Sequence, residues 1–180
     1  HAVDTIPLVR GSSDAALLAA RRLAREFPGV ALATLLPLRK RRRDAVADVV
    51  LVAADTAAKH TAQLTALAQQ HSLRGVYTHA LLVAEWMRRA KQSQRQVLVV
   101  LPTPAGLRLV YIDQGRPLLS RLMPMTDDAA IAVEIGRTVQ YLHNTQRVTR
   151  ESPVEILFWG MTPEQVSTCQ PSGDAHRVVT

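Results

Sequence analysis

Six histidines, one cysteine and scattered carboxylates are the residues of this 180-residue chain best suited to metal binding or catalysis, and their spacing argues against both. His60 and His71 stand eleven positions apart on one expected helix. They share a face there but lie about 16 Å apart at 1.5 Å rise per residue, so no single ion bridges them. His79, His143 and His176 have no partner at ligand spacing, and His1 is terminal. Each is expected to be structural or solvent-facing. Cys169 has no adjacent Cys or His to activate it and reads as a plain thiol. A lone cysteine excludes an intrachain disulfide framework and suits a reducing compartment. The expected catalytic, metal-binding and cofactor-binding residues are therefore none.

Other residue types point towards recognition. Glu134 and Arg137 are three apart on one expected helix face, with Gln140 and Tyr141 nearby. Two readings stand: a surface i,i+3 ion pair worth a few tenths of a kcal/mol, or a polar patch that recognises a partner. Trp159 precedes Gly160 at the end of an expected strand, where an indole can line a groove and anchor a partner. Trp86 and Met87, on an otherwise aliphatic helix, are expected in the core. The run Arg39-Lys40-Arg41-Arg42-Arg43 carries much of a net charge of +7. It is either a solvated loop or a contact for anionic headgroups or an acidic partner. It has no interleaved aromatics or amides, and bases are read by stacking and bidentate polar groups, so sequence-specific nucleic-acid binding is not expected.

These residues need a scaffold, and the composition supports one. With 47% hydrophobic and 21% charged residues the chain can bury a core, and at 4% aromatics that core must be aliphatic. No apolar run reaches the roughly 18–20 residues that span a bilayer. No apolar leader follows His1, and a start without Met suggests an excised fragment.

Residues 1–10 read as an extended entry, followed by a helix over 15–27 capped from Ser12-Ser13-Asp14 and stopped by Pro28-Gly29. Val30–Leu38 is β-compatible, with Pro37 favouring an edge. The continuous apolar run 48–54 reads as a strand buried on both faces. A helix to His71 follows, with Ala58, Leu64, Leu67 and Ala68 inward, then a short strand at 75–77 and a helix over 79–90. This β-α-β-α order predicts parallel strands. From Gln96 the pattern restarts. Runs 97–101, 107–113 and 117–123 predict three strands, with Asp113 and Gly115 in the second turn. Residues 126–146 predict a long helix capped at Asp127-Asp128, 154–159 a fourth strand and 163–169 a last helix. The expected division is 1–95, an incomplete first subdomain, and 96–180, a second one. The fold class is α/β with mixed sheets, and the order β-β-β-α-β-α is that of the ribonuclease-H-like subdomains of the actin-like fold.

The chain also resembles a known family, the actin-like assembly proteins at the cytoplasmic face of type IV pilus and type II secretion machines, namely PilM and the cytoplasmic domain of GspL. The resemblance lies in the helix 15–27, the 48–54 strand, Gln70-His71-Ser72-Leu73-Arg74-Gly75-Val76, and above all residues 107–141. There Glu134-Ile135-Gly136-Arg137-Thr138-Val139-Gln140-Tyr141 looks like the family's E-I-x-R-T-x-x-Y pattern. It implies a cytoplasmic scaffold at the inner membrane that binds the tail of a membrane protein or the assembly ATPase, with homodimerisation open. One departure is plain. Nucleotide-binding relatives open the β-β-β segment with an Asp-x-Gly-type phosphate loop, whereas here Leu101-Pro102-Thr103-Pro104-Ala105-Gly106 has no carboxylate and two prolines without N–H donors. No ATP hydrolysis is expected. The alternatives are a nucleotide-binding ATPase, sugar kinase or nuclease of this superfamily, or a basic nucleic-acid-binding module. A nuclease needs clustered carboxylates, and strands 97–101, 107–112 and 154–158 carry only Glu155.

Overall fold

Short β-branched runs become strands and the Ala- and Leu-rich segments between them become helices. The order is β1 (Ala2–Val9), β2 (Val30–Pro37), β3 (Val46–Asp55), α1 (Ala58–Gln70), α2 (His79–Arg89), β4 (Gln96–Thr103), β5 (Gly106–Asp113), β6 (Arg116–Met123), α3 (Asp128–Asn144), β7 (Val154–Phe158), α4 (Pro163–Cys169) and β8 (His176–Val179). The computed structural model describes residues 2–9, 21, 24–25, 30–37, 46–55, 58–70, 77–92, 95–124, 127–149, 153–171 and 176–179. The basic run Arg39–Arg43 and nearly all of the helix expected over 15–27 lie outside them. The chain forms two units, His1–Leu82 and Val83–Thr180.

The first unit holds a three-stranded sheet in the order β1-β3-β2. Both pairings are antiparallel, β1 with β3 from Ala2↔Ala53 to Val9↔Val46 and β2 with β3 from Val30↔Asp55 to Pro37↔Val49. Both edges of β3 are thus taken by antiparallel neighbours; the strand expected at 75–77 as the parallel member of the β-α-β-α unit lies, but for Tyr77, outside the described residues. Pro37 does end an outer strand, where a missing N–H costs no ladder bond. On α1 a second correction falls at Leu67, which is 46% exposed, and at Ala68, also exposed. The polar neighbours Gln63, Thr65, Gln69 and Gln70 leave no continuous apolar stripe there to turn inward.

The second unit is built on a five-stranded sheet in the order β6-β5-β4-β7-β8. The strands β4, β5 and β6 form two antiparallel hairpins, while β7 lies parallel to β4 and β8 parallel to β7. The second hairpin turns on Gln114 and Gly115 with φ of 50° and 72°. Positive φ at both central residues gives the turn whose twist suits paired strands. Three antiparallel strands, a helix and a parallel strand make this the ribonuclease-H-like sheet of the actin-like fold.

Burial follows the periodicities. The middle of β4 and nearly all of β5 are buried, as expected of central strands covered on both faces. On α3 the buried residues are Ile131, Ile135, Thr138, Val139 and Leu142, an i,i+4 stripe. Thr138 is tolerated inside because its hydroxyl donates to the Glu134 carbonyl at 2.9 Å. The helix starts where the sequence indicates. The Asp127 carboxylate accepts from the Ala130 N–H at 2.8 Å, and Asp128 accepts from the Thr168 hydroxyl at 2.8 Å, joining α3 to α4. Helix α4 opens with a reciprocal capping box. The Gln165 N–H donates to Thr162 Oγ1 at 3.3 Å, and the Thr162 N–H donates to Gln165 Oε1 at 2.9 Å. Thr162→Ala should therefore cost about 1 kcal/mol by chemical denaturation. An unchanged midpoint would mean that packing of Val166 and Cys169 alone holds this helix.

Strand β8 was not expected from the sequence. His-Arg-Val-Val is too short and only half apolar, and it becomes a strand by adding to β7 in register from Val154↔His176 to Leu157↔Val179.

Candidate functional site

Residues of potential chemical interest fall in three places in the second unit. The first is the turn Thr103–Gly106, where the sequence departs from an Asp-x-Gly-type phosphate loop. Pro104 and Ala105 close a two-residue turn between paired Thr103 and Gly106. The Thr103 hydroxyl is spent inside the turn, donating to the Gly106 carbonyl at 2.7 Å. Gly106 has φ of +129°, and a Cβ there would sit 2.2 Å from the Met123 carbonyl oxygen. Backbone from β6 thus lies directly against Gly106. The turn's four residues include no carboxylate to hold a metal ion, and Pro104 has no N–H for a phosphate.

The second place is the outer edge of the sheet at β6, with the first turns of α3 beside it. Glu134 is held from two sides: Arg121 on β6 donates to it at 2.8 Å, and Arg137 pairs with its other oxygen. The E-I-x-R segment thus divides cleanly. Ile135 and Thr138 point into the core, and Glu134 and Arg137 form the ion pair anticipated from their spacing. The Arg121 partner, thirteen residues away, comes only from the tertiary fold. All three side chains retain solvent contact, so the cluster adds little stability. Against it lies a groove of about 370 Å³ lined by Arg121, Leu122, Met123, Pro124, Ala130 and Glu134. Tyr141 lies farther along α3 and is 53% exposed.

Beside this edge is a residue that sequence reasoning missed. Arg108, in the central strand β5, is only 5% exposed. Its Nη1 donates to Ser120 Oγ on β6 at 3.0 Å, and its Nε is buried without a partner. No carboxylate pairs with it among the described residues, and burial pushes its pKa down. Of the guanidinium's three nitrogens, Nη1 has an acceptor and the buried Nε has none. The signal was present in the sequence as a cation inside Leu107-Arg108-Leu109-Val110, a run otherwise wholly apolar.

The third place is at the end of β7. Trp159 packs edge-on against Trp86 of α2, with ring centroids 4.4 Å apart at 61°. The expectation that Trp86 is a core residue is corrected: it is 40% exposed and Trp159 37%. Met87, its neighbour, is fully buried. The reason is helical phase. Ala80, Val83, Ala84 and Met87 make the inward stripe, and Trp86 lies beside it. On the polar side of α2, Arg88 grips Glu85 through two bonds of 2.7 Å and Arg89 adds one of 2.8 Å. Arg88 and then Arg89 hold the Glu85 carboxyl down to about 2.

The remaining polar candidates are structural. Tyr111 donates its hydroxyl to the Arg147 carbonyl at 3.2 Å, and burial, then the Asp113 charge, raises its pKa. Burial, reinforced by Asp128, also pushes the Cys169 thiol up, the opposite of an activated nucleophile. Glu155 is engaged by Arg95. Among the described residues no group of His, Cys, Asp and Glu is placed to hold a metal ion, and no helix is long and apolar enough to cross a membrane.

No protein-family model matches the sequence, and no curated protein matches it. Solved structures do. The chain is similar to a "PilM-PilN type IV pilus biogenesis complex" structure, with a TM-score of 0.52 at 17% identity, over 98% of this chain and 68% of that one. It is also similar to a Bacteroides thetaiotaomicron protein with an actin-like ATPase fold and unknown function, with a TM-score of 0.49 at 10% identity, over 98% of this chain and 64% of that one. What is shared with the PilM-PilN structure at 17% identity is the fold.

Proposed function

We propose that this chain is a non-catalytic scaffold domain of a type IV pilus or type II secretion assembly platform. In this reading it works at the cytoplasmic face of the inner membrane and holds the extended tail of a membrane protein or a segment of the assembly ATPase. The observation that carries the reading is the fold, matched over 98% of the chain by a PilM-PilN structure, and it is supported by a Thr103–Gly106 turn that includes no carboxylate and lies against β6 backbone at Gly106. The E-I-x-R-T-x-x-Y segment of α3 supports the same family. Backbone pairing supplies affinity in extended-tail recognition, and side-chain pockets supply specificity.

The test has two arms. Synthetic cytoplasmic tails of the inner-membrane assembly proteins encoded beside this chain should bind it in calorimetric titration, at least one of them saturably. Titration of Mg-ATP into the same protein should be flat. Micromolar Mg-ATP affinity overturns the non-catalytic reading, and the absence of binding by every tail and by the assembly ATPase overturns the scaffold.

A further inference from the structure

We propose that the outer edge of β6 is a strand-addition site for an extended acidic segment, with Arg108 as the residue that reads its charge. This rests on the reading of the chain as a binding scaffold and assigns that binding a place and a chemistry.

Three observations converge on the edge. Strand β6 is terminal in its sheet, so among the described residues no strand pairs the backbone N–H and C=O groups along its outer side. On one face, Arg108 reaches across from β5 to Ser120 and brings a guanidinium lacking any carboxylate partner among the described residues. Leu122, the cross-strand neighbour of Arg108, lies on that face and is 42% exposed. On the other face is the groove lined by Arg121, Met123, Ala130 and Glu134.

An added strand would run about 4.8 Å from β6. Its side chains alternate between the two faces. Those on the Arg108 face come beside the guanidinium that Ser120 holds, whose unpartnered Nε a carboxylate satisfies with a charge-assisted hydrogen bond. Those on the other face enter a groove walled by Met123, Pro124 and Ala130, where the one carboxylate, Glu134, is already neutralised by Arg121 and Arg137. The fitting segment therefore alternates acidic and aliphatic residues. A second copy of this chain fits badly: β6 carries Arg116 and Arg121 and no carboxylate, so edge-to-edge pairing would bring cations together without supplying Arg108 an anion.

The probe is the capped peptide Val-Glu-Val-Glu-Val-Glu-Val, compared with its Gln-for-Glu counterpart on the full chain. Fluorescence anisotropy should give the Glu peptide about tenfold tighter binding, one charge-assisted pair's worth of discrimination. Amide hydrogen exchange should slow over 118–123 and not over 176–179 at the opposite edge. Arg108→Gln should bring the two peptides within about twofold of each other. Ser120→Ala, which removes only the acceptor that aims the guanidinium, should also lower the preference and serves if Arg108→Gln does not fold. Equal binding of the two peptides overturns the inference, as does a preference that survives both substitutions. Protection at 176–179 instead, self-association through 118–123, or an oligonucleotide protecting 118–123 as well as the Glu peptide does so too. A membrane tail that binds while the Glu peptide leaves 118–123 unprotected sinks this site and leaves the scaffold reading standing. A Glu peptide that binds here while every tail and the ATPase fail does the reverse.

Discussion

Replacing Gly106 with alanine should destabilise the protein by about 3–5 kcal/mol, the largest single-residue effect we expect at a turn. Two causes add. The backbone stands at φ of +129°, a region that L residues rarely enter. An added Cβ would also meet the Met123 carbonyl oxygen at 2.2 Å and its carbonyl carbon at 3.2 Å, both backbone atoms that cannot swing aside. Relief requires pulling the end of β6 from the start of β5, where Leu107 pairs with Met123. Gly160 separates the two causes. It also has positive φ, +70°, but nothing lies within 4 Å of its added Cβ, so Gly160→Ala should cost only about 1–2 kcal/mol. Both are read by urea denaturation. If Gly106→Ala costs no more than Gly160→Ala, the close approach to Met123 is not what makes glycine necessary.

Ile135→Ala should cost about 2–5 kcal/mol by the same measurement, the ordinary range for truncating a fully buried aliphatic side chain. Ile135 is 0% exposed and sits midway along the α3 stripe between Ile131 and Val139. A cavity there is enclosed on the sheet side by strands buried over most of their length, which limits collapse. Val133 is the control. It is 54% exposed on the same helix, so Val133→Ala should change stability by less than about 0.5 kcal/mol. A loss below about 0.5 kcal/mol at Ile135 would put the wrong face of α3 in the core.

The sequence by itself determined the second unit almost element by element. Valine and leucine runs bounded by Pro104-Ala105 and Gln114-Gly115 admit little but two hairpins, and the 131-135-139-142 spacing admits only one inward face for α3. Asp127 and Thr162 marked helix starts by local chemistry alone, because a cap needs only neighbouring N–H groups. The Glu134–Arg137 pair was legible for the same reason, being one helical turn apart.

What only the tertiary structure decided is everything that depends on partners distant in the chain. Strand β8 exists because β7 offers an edge, β3 is antiparallel on both sides because β1 and β2 occupy its edges, and Trp86 leaves the core to meet Trp159. The candidate edge site is of this kind. Arg108, Ser120, Arg121 and Glu134 belong to three elements, and periodicity reports only which way each side chain faces from its own. Whether an inward cation finds a carboxylate is set by strand order and register. Those arise from the global competition for edges and buried area, to which no single window of sequence has access.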